Sequence, residues 1–355
     1  MVYFSYRPFQ EVRQVETVFV WDLDKTYLDT KFETLKGLFQ TFFEKPTEKK
    51  NVPGTAVLVK SLEDFWKKKH FGRDLPLYFV TASPPQLEPK IIEKLRYDGV
   101  KPFGLFCKDN LQNLKPKRFW RLMLQIGFKL QALLELRTHL SESVEQFLFG
   151  DDSESDAVIY SLYSDICSRR LDRSEIREIL KAFHVLGDQI EVILDLQSKI
   201  PVHDPARKIY INLEADTDAE YYLKFGRRVL PTFNSFQIAM DLYQEKMLSI
   251  EHVVAVAKDL MENYGAIVDE MEQSLDGMIR RQVLGAPVVQ ELLKVLKENH
   301  IISDDFQPSV EPPEISQEPM EPSSEKEVLP PPHLRFEGVF EPWVPERIDY
   351  LQDYR

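Results

Sequence analysis

Residues 17–26 read TVFVWDLDKT, and they decide the fold. Thr17 to Trp21 is a short apolar run rich in β-formers, which predicts a buried strand. It stops abruptly at Asp22-Leu23-Asp24-Lys25-Thr26. The same arrangement recurs twice. LYFV at 77–80 ends in Thr81-Ala82-Ser83-Pro84-Pro85, and QFLF at 146–149 ends in Gly150-Asp151-Asp152, with Asp156 shortly beyond. Helical stretches are expected at about 30–43, 56–69, 86–97 and from Lys129 to near His139. Two later strands are expected at 208–213 and 228–230, with a helix from about Ser235. Short apolar strands alternating with helices predict an α/β fold, a parallel sheet covered on both faces. Ligands of such sheets bind beyond the carboxyl ends of the strands, where these polar clusters stand.

The bulk composition narrows the function. The chain has 355 residues, 43% of them hydrophobic, enough for a substantial core. A formal net charge of −13 repels phosphate backbones and anionic bilayers, so no nucleic-acid partner is expected. Two distant cysteines, Cys107 and Cys167, form no disulfide framework, and the seven histidines show no metal-ligand spacing. Neither a signal peptide nor a membrane-spanning run is legible. A cytoplasmic protein, soluble or at most in peripheral membrane contact, is therefore expected. Three regions are expected: a core over 1–250, a helical appendage packed on the core over 251–303 and interrupted near Gly285-Ala286-Pro287, and a Pro/Glu-rich disordered tail over 304–355. The tail regains aromatics at Phe336, Phe340, Trp343 and Tyr350, which suit docking on the core or on a protein partner.

The polar clusters carry a definite chemistry. Phosphoryl transfer through a carboxylate needs a nucleophile beside a proton donor, and Asp22 and Asp24 stand two apart at a strand end. The competing reading is a helix cap. Thr81, or Ser83 two residues on, could hold a phosphate oxygen, although a strand-to-helix cap explains either one alone. Lys129, after Gly127-Phe128, could bind phosphate and offset the charge of Asp22, or be an ordinary surface lysine. The run from Asp151 is more specific. Acids clustered at a buried strand end repel unless a cation sits among them, and Mg2+ takes oxygen ligands. A cap accounts for one acid here, not for Asp151, Asp152 and Asp156 together with Glu154.

The order strand–DxDxT, strand–Thr, Lys, strand–GDDxxxD resembles the four motifs of the haloacid dehalogenase (HAD) superfamily. The resemblance implies a HAD-like, Rossmannoid sheet with a small or absent cap. It implies Asp22 as the residue that becomes an aspartyl-phosphate and Asp24 as general acid and base. It places Mg2+ on Asp22, the backbone carbonyl of Asp24, and Asp151. Asp156 matches the later acid of the fourth motif, and Asp152 could substitute for it. NVPGTAVLVKSL, LYFVTASPPQLEPKIIEKL, GFKLQALLEL and FLFGDDSESDAVIY further resemble the catalytic domain of the actin-patch-type phosphatidate phosphatase family, over roughly residues 18–165. This implies a Mg2+-dependent phosphatase whose substrate is a phosphorylated small molecule or lipid headgroup such as phosphatidate. A soluble phosphomonoester, on a nucleotide or a phosphoprotein, and a catalytically inactive HAD-fold scaffold are the alternatives. The sequence departs from the family at Lys25, where a second acid is usual, and at Phe106-Cys107-Lys108-Asp109.

Overall fold

The computed structural model describes residues 2–6, 15–29, 50–108, 125–152, 155–214, 216–226, 228–312 and 348–352. The strands are β1 (Val2–Tyr6), β2 (Thr17–Asp22), β3 (Leu77–Thr81), β4 (Gly104–Lys108), β5 (Glu145–Asp151), β6 (Ala206–Asn212) and β7 (Val229–Thr232). They form one sheet in the order β1-β4-β3-β2-β5-β6-β7. All neighbours are parallel except β1, which runs antiparallel to β4 at the edge. This mixed α/β, mostly parallel sheet is the Rossmannoid, HAD-like architecture expected from the sequence.

Between the strands lie α1 (Thr55–Lys69), α2 (Glu88–Tyr97), α3 (Ile126–Thr138), α4 (Asp156–Cys167), α5 (Arg173–Ala182) and α6 (Gly187–Lys199). After β7 come α7 (Ser235–Gln244), α8 (Ile250–Tyr264), α9 (Val268–Arg280) and α10 (Ala286–Glu298). Side chains alternate across a strand, so β2 divides its apolar residues between two cores. Val18 and Val20 join Val80, Leu148 and Ile209 beneath α3 to α6. Phe19 and Trp21 join Phe79, Phe147 and Phe149 beneath α1, α2 and α7 to α10. On that second face Trp21 stacks on Phe149 at 3.8 Å between centroids, and Phe149 on Tyr210 at 4.9 Å. The stack ties β2, β5 and β6 together just below their carboxyl ends.

Several elements differ from the sequence reading. The third central helix starts at Ile126, so Lys129 sits one turn inside it. The helical stretch after Glu251 has a second break at Gly265, whose φ of 77° ends α8 in the left-handed region that glycine adopts without strain. β1 and β4, and the helices α5 and α6, were not foreseen. The buried residues of α8, α9 and α10 share one cluster with Phe19 and Trp21 of β2. The helix and any cap expected within residues 30–49, and the tail over 313–347, lie outside the described residues. Tyr350 is described: it is buried, and its hydroxyl donates to Asp165 Oδ2 at 2.6 Å. Cys107 and Cys167 are buried free thiols, and burial pushes both up to about 12.

Candidate active site

Three adjacent strands end in the predicted residues: β3 in Thr81, β2 in Asp22 and β5 in Asp151. Their registers are level, with Asp22 opposite Val80 and Trp21 opposite Phe149. Parallel pairing thus delivers these side chains to one edge of the sheet.

Lys129 reaches this edge from α3. Its Nζ lies 2.8 Å from Asp22 Oδ1 and 2.6 Å from Asp156 Oδ1. The lysine is only 1% exposed and both aspartates 0%. A buried ammonium is tolerable only with such partners. Asp156 opens α4, where the helix dipole favours an acid. Its Oδ2 accepts the Asp151 backbone N–H at 3.2 Å. The carboxylate lies against Gly150, where an added Cβ would meet Asp156 Oδ2 at 2.4 Å. Glycine is therefore required at the end of this strand so that Asp156 can fold back over it.

One carboxylate oxygen each from Asp22, Asp151 and Asp156 lies within 4.8 Å of the others, all buried. Three carboxylates against one ammonium leave a deficit of two positive charges. An all-oxygen donor set with that deficit fits a hard divalent cation such as Mg2+.

Asp24 is placed by a second contact. Thr81 Oγ1 donates to Asp24 Oδ2 at 2.7 Å and accepts the Ser83 backbone N–H at 3.0 Å. The Thr81 hydroxyl is thus engaged with Asp24. The Ser83 hydroxyl, also buried, hydrogen-bonds no other described residue. Of the two hydroxyls left open by the sequence, Ser83 is the one with capacity for a ligand oxygen.

Residues 17–178 match the family model described as Phosphatidate phosphatase APP1, catalytic domain. This segment resembles a HAD-type phosphatidate phosphatase domain, as its motifs indicated. It runs from β2 into α5, slightly under half of the chain, and holds every residue of the cluster just described. No curated protein and no solved structure matches the chain. Among the described residues, no helix is long and apolar enough to cross a membrane.

Around this APP1-like core the structure separates the acids that the sequence left together. Asp152 does not join the buried cluster. Its Oδ2 accepts from the Glu214 backbone N–H at 2.9 Å and from Thr217 Oγ1 at 2.5 Å. It therefore anchors the segment after β6, which lies beyond the APP1-like match. Lys25, one of the departures from the family, has a φ of 56° and places its Nζ 3.8 Å from Glu214.

Two neighbours of the cluster escaped the sequence reading as site residues. Thr26 Oγ1 points at Asp22 Oδ2 from 3.5 Å. Tyr160 donates to the Phe149 carbonyl at 3.0 Å. Burial, with the nearby Asp156 carboxylate, pushes the Tyr160 hydroxyl well above its ordinary value, so it stays protonated. The signal for Tyr160 was present: it lies one helical turn after Asp156, on the same face of α4.

Proposed function

We propose that this chain is a Mg2+-dependent phosphomonoesterase of the HAD type, working through an aspartyl-phosphate on Asp22, with phosphatidate or a related lipid phosphate as substrate. The observation that carries this reading is the buried contact of Lys129 with both Asp22 and Asp156, inside the APP1-like segment.

Lys129 aims the Asp22 carboxylate by pairing with Oδ1. The Asp22 carboxylate attacks phosphorus in line as the bond to the leaving oxygen breaks. Asp24, steadied by Thr81, gives its proton to that oxygen. Water then attacks the aspartyl-phosphate, and Asp24 takes the proton released. Free phosphate departs and Asp22 is restored. Lys129 and Ser83 hold the transferring phosphoryl oxygens, and Thr81 acts through Asp24. Asp22, Asp151 and Asp156 would hold Mg2+ with the Asp24 backbone carbonyl, and the ion supplies the positive charge that offsets the phosphoryl group. The reading includes a cytoplasmic protein that meets its lipid at a membrane surface without spanning it.

Hydrolysis of phosphatidate in neutral-detergent micelles tests this, compared with an aryl phosphate, with Mg2+ or EDTA, and with Asp22→Asn. Expected is Mg2+-dependent release of phosphate from phosphatidate, lost in EDTA. Asp22→Asn is expected to lower the rate on the order of a thousandfold or more. Turnover of the aryl ester alone would move the substrate to the soluble class. No turnover of either, or a variant as fast as the wild type, would overturn the phosphatase reading.

A further inference from the structure

The last described residues, Ile348 to Gln352, carry their own shape. Asp349 Oδ1 accepts the backbone N–H groups of Leu351 at 3.0 Å and Gln352 at 3.1 Å, closing a turn of the kind aspartate favours. The turn presents Tyr350, which is 2% exposed and whose hydroxyl donates to Asp165 Oδ2 at 2.6 Å. Burial, with the Asp165 carboxylate, holds that hydroxyl well above its ordinary value, so it remains a donor. Among the described residues this is the segment's one hydrogen bond to the core, and no backbone pairing joins the two.

The receiving socket is built without the tyrosine. Arg170 donates to Asp165 Oδ1 at 2.5 Å and to Asp204 Oδ2 at 2.7 Å, and Arg228 donates to Asp204 as well. Asp165 is thereby fixed through one oxygen, and the other receives the tyrosine. Leu171 and Ile179, both buried, belong to the same apolar cluster as Tyr350. Vacated, the socket would keep a carboxylate oxygen without a partner beside apolar walls, so it suits an aromatic group that carries a donor. A cavity of about 430 Å3 stays between the segment and α5, lined by Leu171, Glu178, Ile179, Ile348 and Leu351. The segment lies in a cleft that it does not fill, and it can leave without parting two packed elements of the core. Phe306 and Val310 pack on the cluster beneath α7 to α10, whereas Tyr350 sits in the one beneath α3 to α6. Docking of Tyr350 therefore fastens the chain end on the opposite face of the sheet.

We propose that the socket of Asp165, Leu171 and Ile179 is a peptide-recognition site whose ligand is this chain's own turn, Ile348 to Gln352, bound as a separable clasp. Asp165 lies on α4 about 14 Å from Asp156 at 1.5 Å of rise per residue, so the clasp stands apart from the acidic cluster and does not depend on its chemistry.

The test uses full-length chains and a fluorescent peptide of residues 345–352. Tyr350→Ala empties the socket, and the peptide should bind that chain with a Kd on the order of 10–100 μM by fluorescence anisotropy. The wild type should bind it at least about tenfold more weakly, because its own turn competes at the high local concentration that chain connection gives. The Tyr350→Phe peptide should lose affinity on the order of tenfold, since it leaves the Asp165 oxygen unpaired. Tyr350→Phe in the full chain is a second host if Tyr350→Ala does not melt cooperatively, and its affinity for the peptide should fall above that of the wild type. No saturable binding to either variant, equal affinity of the two peptides, or a wild type that binds as tightly as the variants overturns the inference. So does a wild type that sediments as a dimer while Tyr350→Ala is a monomer, which would give the socket to a second copy's turn.

Discussion

Gly150 shows how much the site depends on single atoms. Its missing Cβ is the space in which the Asp156 carboxylate lies, 2.4–2.7 Å from where that carbon would stand. Gly150→Ala should push Asp156 away from Lys129 and from the Asp151 N–H. We expect a destabilisation of about 1–3 kcal/mol from overpacking, with turnover down more than tenfold. A thermal melt and a rate assay check this, and an unchanged melt would remove the steric argument. Lys129 is the opposite case, an added charge whose loss is felt by others. Lys129→Met leaves three buried carboxylates facing one another and should cost about 3–5 kcal/mol. Millimolar Mg2+ should then raise the melting temperature of the variant more than that of the wild type, since the ion replaces the missing charge. Equal shifts would mean that the cation does not bind among these acids. Which residues matter was legible here, because acids at strand ends are visible in the sequence. Their partners were not, since a lysine after Gly127-Phe128 reads equally well as a surface residue.

At the scale of elements, α4 is held at both ends by charge. Its first residue is Asp156, and near its last turn Ser164 donates to Asp204, which also pairs with Arg228 and with Arg170 at 2.7 Å. Burial alone would raise the Asp204 carboxyl, but the Arg228 and Arg170 guanidiniums outweigh it and hold the group below its ordinary value of 3.8. A carboxyl depressed in the folded state stabilises fully above that ordinary value and loses its contribution as pH falls through the lower folded one. Melting temperature followed from pH 7 down to pH 3 should therefore fall more steeply in wild type than in Asp204→Asn, which starts lower at neutral pH. Parallel curves would count against this linkage. The central strands could be read because both faces of each are buried and their runs are apolar throughout. β1 could not, because VYFSY is an edge strand whose place is set by pairing with β4 and by the Phe4–Phe106 edge contact at 4.9 Å. The break at Gly265 was missed because apolar spacing continues across it, while only a left-handed residue there ends the helix.

At the scale of the whole molecule, residues 251–303 read from the sequence as a helical appendage packed on the core. Val253, Val256, Leu260, Met271, Leu275 and Leu292 share a buried cluster with the β2 and β5 aromatics. A chain ending at residue 249 would expose that face of the sheet. We expect it to show no cooperative unfolding transition, whereas the full chain melts in one. A truncated chain with a sharp native-like melt would mean that residues 1–249 fold without these helices. By itself the sequence determined the α/β class, a parallel sheet and the edge that carries the chemistry. Burial demands apolar runs there, and the acids that follow them can stand only at strand ends. Only the tertiary structure decided which acids act together. Asp156 turns inward because α4 starts over a glycine, and Asp152 turns outward to hold the segment after β6. Lys129 and Asp22 are far apart in sequence, so their contact exists only once α3 packs onto the sheet beside β3. Likewise Lys25 meets Glu214 only because β5 separates their two strands. Side-chain direction at a strand end depends on what packs above it, and local sequence does not encode that.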